Sequence, residues 1–121
     1  MPTRGDRLFH LRIAEASQNS VLQRVVAQLY DERHNPLFAQ LGSHFETPAT
    51  WSIAIAEHRA VVDAITRQST QAAREAMARH LANSHDRFTA SWAEREAVPA
   101  KALARRRAAS AGRSTRTRST A

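Results

Sequence analysis

Asp6 and His10 stand four residues apart in the stretch DRLFH. On a helix this spacing puts a carboxylate and an imidazole on one face, one turn apart. Such a pair is either a local ion pair or half of a metal site that needs further ligands. The chain holds six histidines and no cysteine. A disulfide scaffold, thiolate chemistry and thiolate metal sites are therefore excluded. Any metal centre has to be built from imidazole and carboxylate.

The six histidines divide into two groups. His34 adjoins Asn35-Pro36 and reads as a solvated loop residue; His44, just after Gly42, suits a helix C-terminus through the helix dipole. His85 follows His80 by five residues, which turns it off the same helix face, so it reads as surface. His10, His58 and His80 instead sit inside helical stripes among apolar residues. Two readings stand side by side: one shared site, or three core imidazoles each satisfied by its own hydrogen-bond partner. Three neutral imidazoles and one carboxylate suit zinc, nickel, cobalt or iron(II) better than manganese. Coordination positions left open around such an ion would serve catalysis or the sensing of a small ligand.

The elements that must position these residues are helical. Apolar residues Leu8, Phe9, Ile13 and Ala16 recur with helical spacing over Asp6–Ser17. Asn19 and Ser20 are good N-caps for a second helix, VLQRVVAQLYDER, which stops before Pro36. LFAQLGSHF predicts a third, shorter helix. Thr47 as N-cap and Pro48 at the first helical position open a fourth, with Ile55, His58, Val62 and Ile65 on its apolar stripe. Ser69 caps a fifth, with Ala73, Ala76, Met77, His80, Leu81, Ser84, Phe88 and Trp92 along one face. Pro99 is expected to end the ordered part.

Composition agrees with an all-α chain. Three glycines and four prolines in 121 residues are too few turn residues for a many-stranded sandwich. The net charge of +7 is uneven: residues 1–100 balance to zero, and the excess lies in Lys101, Arg105, Arg106, Arg107, Arg113, Arg116 and Arg118. A neutral body argues against a nucleic-acid-binding folded face. The segment from 99 to 121 is predicted to be a disordered, basic Arg/Ser/Thr-rich tail. It would hold phosphates only through sequence-independent charge. No apolar run reaches the roughly 20 residues that cross a bilayer, and MPTRGDRLFH has no signal-peptide core. The chain reads as a cytoplasmic protein that does not enter the membrane.

In combination, DRLFHLRIAEASQNSVLQRVVAQLY, EHRAVVDAI and AAREAMARHL resemble the FCD domain, the effector-binding domain of FadR-type, GntR-family bacterial transcription regulators. The resemblance spans roughly residues 6–92. It implies an antiparallel helical bundle, of which about five helices remain in this chain. Residues 1–5 form a leader, 6–98 the truncated domain and 99–121 the tail. It also implies a divalent metal, zinc or nickel first, held by Asp6, His10, His58 and His80, with a small carboxylate such as a sugar acid as effector. Asn19 is assigned to that effector. Complete relatives carry a winged helix-turn-helix and further helices before the D-x3-H helix. Their absence here leads to three expectations: contact with DNA only through a domain this chain lacks, exposed apolar faces, and a homodimer or a mixed dimer with an intact regulator that covers those faces. A non-functional or dominant-negative fragment is the alternative.

Catalysis is the reading from another class. An open metal site can activate water, but a hydrolase needs further acid–base groups. Glu57 is the only obvious nearby carboxylate, and its position beside His58 on the helix is expected to point it away. The chain is therefore expected not to be an enzyme.

Overall fold

The computed structural model describes residues 2–114, without the side chains of 2, 41, 43, 44, 95–101, 103, 106, 107 and 110–114. Among the described residues there are five α-helices and no strand: α1 (Pro2–Ala16), α2 (Ser20–Asp31), α3 (Pro36–Phe45), α4 (Pro48–Thr66) and α5 (Thr70–Ser114). A 3-10 turn, Glu32–His34, links α2 to α3. The chain divides into two compact units, residues 1–85 and 86–121. The candidate site lies in the first.

Local chemistry sets the helix boundaries. Asn19 Oδ1 accepts hydrogen bonds from the N–H groups of Val21 and Leu22, and Asn35 Oδ1 accepts one from Leu37. Thr47 and Thr50 form a reciprocal capping box at the start of α4, with Pro48 in the first turn. These caps satisfy N–H groups that the helix itself leaves unpaired. The turns α1–α2 and α4–α5 share one device. Gln18 and Gln68 each adopt φ 55°, the left-handed geometry that lets a helix stop and reverse within three residues. At the second turn, Ser69 N–H returns to Ala64 O at 3.0 Å and Gln68 N–H to Ile65 O at 2.8 Å.

Both helix pairs run antiparallel. Arg7, early in α1, pairs with Asp31 at the end of α2. Glu57 and His58 of α4 meet His80 of α5 across the turn at 67–69.

The structure shifts three expectations. Helix α1 starts at Pro2, so residues 2–5 are helix rather than leader; proline is well tolerated in a first helical turn because its missing N–H is unpaired there in any case. Helix α5 does not end at Pro99 but runs to Ser114. The flanking Ala, Glu, Arg, Lys and Leu are strong helix formers and carry the helix through the proline. The last part of the predicted tail, 115–121, lies outside the described residues. On α4 the buried residues are Ala54, Val61 and Ala64, whereas Ile55, Val62 and Ile65 are exposed. Small side chains on the inner face let α4 approach its neighbours closely enough for imidazoles to meet, and the bulkier residues are left outside.

Among the described residues the interior is small and mixed: Ala14, Ala54, Val61 and Ala64 are its apolar part, and Asp6, His10 and His80 its polar part. On α2 no residue is buried, and Val21, Leu22, Val25 and Leu29 are all exposed. No described helix is long and apolar enough to cross a membrane.

Val61 is 1% exposed and is the largest fully buried side chain among the described residues. Val61→Ala is therefore expected to cost about 2 kcal/mol, through lost burial and the cavity left behind. The urea midpoint should fall while the helical circular dichroism is retained. An unchanged midpoint would remove Val61 from the core.

Candidate metal centre

Three helices bring the predicted residues together. Asp6 and His10 come from α1, His58 from α4 and His80 from α5. One ligand atom from each lies within 4.8 Å of all the others. Nearest neighbours form a ring: Asp6 Oδ1 to His10 Nε2 is 3.6 Å, His10 Nε2 to His80 Nε2 is 3.3 Å, His80 Nε2 to His58 Nε2 is 3.1 Å, and His58 Nε2 to Asp6 Oδ1 is 3.4 Å. A first-row divalent ion bound at about 2.1 Å holds adjacent ligand atoms about 3.0–3.4 Å apart. Three of the four edges lie in that range, and the Asp6–His10 edge is slightly longer.

The donor set also fits by chemistry. A shared centre accounts for three Nε2 atoms turned toward one another, because each can present a lone pair to a common cation. His80 Nδ1 is 2.7 Å from Glu57 Oε2, so Nδ1–H donates outward and leaves Nε2 for the centre. The His/Asp cluster could thus hold a metal ion.

The groups around the ring hold it in place. Phe9 stacks on His58 with ring centroids 3.9 Å apart and 14° between planes. Tyr30 stacks on His10 at 5.1 Å and 26°. Arg33 Nη1 donates to Asp6 Oδ2 at 2.5 Å, and Arg33 Nη2 to Glu46 Oε1 at 2.7 Å. Glu46 closes α3 and lies over buried Gly42, where an added Cβ would meet Glu46 Oε1 at 3.3 Å. Glycine there leaves room for the carboxylate that steadies Arg33.

Burial and charge act against each other across the cluster. Burial alone would raise the Asp6 pKa, but the neighbouring His10 imidazole and the Arg33 charge hold it below its usual value. Burial works against the charge on Arg33, and Asp6 and Glu46 more than restore it. Tyr30 is pushed up by burial and by the Asp6 charge. His58 is lowered from 6.5 to about 4, first by burial and then by the charge of His80. A neutral His58 is the form that ligates metal.

The other predicted residues fall elsewhere. Asn19 is exposed, and its Oδ1 accepts the N–H groups of Val21 and Leu22 at the start of α2. His34 is exposed in the 3-10 turn with Nδ1 3.3 Å from Asp31 O, and His85 is exposed. The backbone of His44 lies near the end of α3, and its side chain lies outside the described residues. Glu57 does not point away. Glu57 and His58, about 100° apart around α4, straddle His80, one at each ring nitrogen. Sequence reasoning missed Arg33, Glu46 and Tyr30 as partners of the ring. The one signal for Glu57 was its place beside a candidate ligand.

The His58 shift makes the metal-free protein sensitive to pH. The unfolded chain takes a proton on His58 near 6.5, whereas the folded chain resists it until about 4. Over that window the unfolded state binds more protons, so stability falls as pH drops from about 6.5 toward 4. Below it, protonation of Asp6 removes a further contribution as pH falls. Urea midpoints of metal-free protein should decrease steadily from pH 7 to pH 4.5; a flat profile would contradict the burial of a neutral His58.

Comparison with known proteins agrees with this architecture. The family described as FCD domain matches residues 3–83. The Uxu operon transcriptional regulator of Escherichia coli K12 is 36% identical over 85 residues, covering 69% of this chain and 33% of that protein. The Uxu operon regulator of Haemophilus influenzae is 37% identical over 80 residues, 65% of this chain and 30% of its own length. The Exu regulon transcriptional regulator of E. coli K12 is 34% identical over 82 residues, 65% and 31% respectively. The chain thus spans about a third of the length of the curated relatives it matches. No solved structure matches it. With the family match covering the helices that carry Asp6, His10, His58 and His80, the chain belongs to the FCD-domain family.

Proposed function

We propose that the chain is the sensing part of a GntR-type transcription regulator. It binds a divalent metal through Asp6, His10, His58 and His80, and a small carboxylate such as a sugar acid beside the metal. The carrying observation is the ring of four ligand atoms, all within 4.8 Å of one another. The regulatory reading draws on relatives whose names are those of operon and regulon regulators. Zinc and nickel suit three imidazoles and a carboxylate. The metal supplies charge for an effector carboxylate, while the chain's own residues orient the ligands and exclude water. In this reading the protein works in the cytoplasm and meets DNA through a winged helix-turn-helix domain rather than through the residues described above.

Purified protein should carry about one zinc or nickel per chain, and Asp6→Ala and His80→Ala should each lose most of it. Elemental analysis reads this directly. Unchanged metal content in both variants would sink the ligand assignment. A sugar acid should raise the melting temperature of the metal-loaded protein, through preferential binding to the folded state.

A homodimer is proposed on the exposed apolar residues of α2, Val21, Leu22, Val25 and Leu29. A run of this kind on one element is more than scattered surface hydrophobics. Sedimentation should give a dimer for the unmodified chain and a monomer for Leu29→Asp. A monomer for both would contradict it.

A further inference from the structure

We propose that Glu57, pinned by Asn83, is the positioning residue that fixes the His80 ring with Nε2 facing the metal; this rests on the metal reading above. Glu57 Oε2 accepts from His80 Nδ1–H at 2.7 Å, and Glu57 Oε1 accepts from Asn83 Nδ2 at 2.8 Å. His80 and Asn83 lie three residues apart on α5, on one face. Helix α5 therefore supplies both the ligand and the amide that pins the carboxylate reaching over from α4. The His80 and Glu57 side chains are 4% and 13% exposed.

This arrangement settles two things about His80. An Nδ1–H held by a carboxylate selects the tautomer whose Nε2 is a lone pair, and it stops the ring from turning over. The negative charge behind the ring also makes Nε2 a stronger donor, as in carboxylate–histidine–metal units generally. His80 Nε2 is 3.1 Å from His58 Nε2 and 3.3 Å from His10 Nε2. Turning the ring would take the donor atom out of the site. Asp6 is held from the opposite side by Arg33, which draws charge away from it. Glu57 is thus the outer group that adds donor strength to the centre.

The test uses the full chain with zinc alone, comparing wild type, Glu57→Gln and Glu57→Ala. Gln keeps one acceptor oxygen without the charge and turns the other into a donor, and Ala removes the carboxylate altogether. Zinc affinity, measured by competition with a chromogenic chelator, should fall about 10- to 100-fold in Glu57→Ala and by less in Glu57→Gln. Nitrogen-15 NMR of the metal-free protein should place the His80 ring proton on Nδ1 in wild type, and show mixed tautomers in Glu57→Ala. A merely structural role would not move that signature. If Glu57→Ala does not fold, the zinc affinity of the Gln variant, expected below that of wild type, and the wild-type His80 proton position still decide. Unchanged affinity in both variants, or a wild-type His80 proton on Nε2, overturns the proposal. A wild type that binds no zinc overturns the metal reading instead, and the His80 proton position then still decides the role of Glu57.

Discussion

A carboxylate buried among three imidazoles is the constraint on which the rest of the unit depends. Asp6 is 8% exposed. An ionised group so placed is costly unless it is paired and hydrogen-bonded. Arg33 meets it from one side, and His10 and His58 from the other. Those partners come from a 3-10 turn and from helices α1 and α4, so satisfying one carboxylate already ties three parts of the chain together. His80 adds α5. The topology of the unit follows from what this polar centre requires as much as from apolar burial.

The small apolar interior has the same origin. Ala14, Ala54, Val61 and Ala64 fill little volume, and helices meeting over such residues can bring imidazole nitrogens to just over 3 Å. Larger residues at those positions would hold the helices apart and open the ring. The cost is a limited hydrophobic contribution, since much of the bulky apolar surface on α2 and α4 faces outward. Every buried side-chain nitrogen and oxygen among the described residues nevertheless has a partner. The outer groups show the same economy: Arg33 links Asp6 to Glu46, and Glu57 links His80 to Asn83.

Much of this was legible in the sequence, for reasons that can be named. The Asp6–His10 spacing marks one helix face, and His58 and His80 stand out because a polar residue inside an apolar helical stripe needs a partner. Asn19, Asn35, Thr47 and Pro48 mark helix starts by well-understood capping chemistry. Less legible were contacts that depend on how helices approach one another. Arg33 lies in a turn far from Asp6 in sequence, and Glu57 was misplaced because helix geometry alone does not say that His80 lies between positions 57 and 58. An apolar stripe drawn through Ile55, Val62 and Ile65 misses the inner face of α4, which is Ala54, Val61 and Ala64 because close helix approach favours small side chains there. A single Pro99 does not stop α5, because its strongly helix-forming neighbours carry the helix through it.

The central claim is that Asp6, His10, His58 and His80 bind one ion together. X-ray absorption at the metal edge of the zinc-loaded chain tests it most directly. Three imidazole nitrogens and at least one oxygen are expected at about 2.0–2.2 Å, with the outer-ring scattering that imidazoles produce. A first shell of oxygen alone, or one imidazole with the rest water, would contradict it.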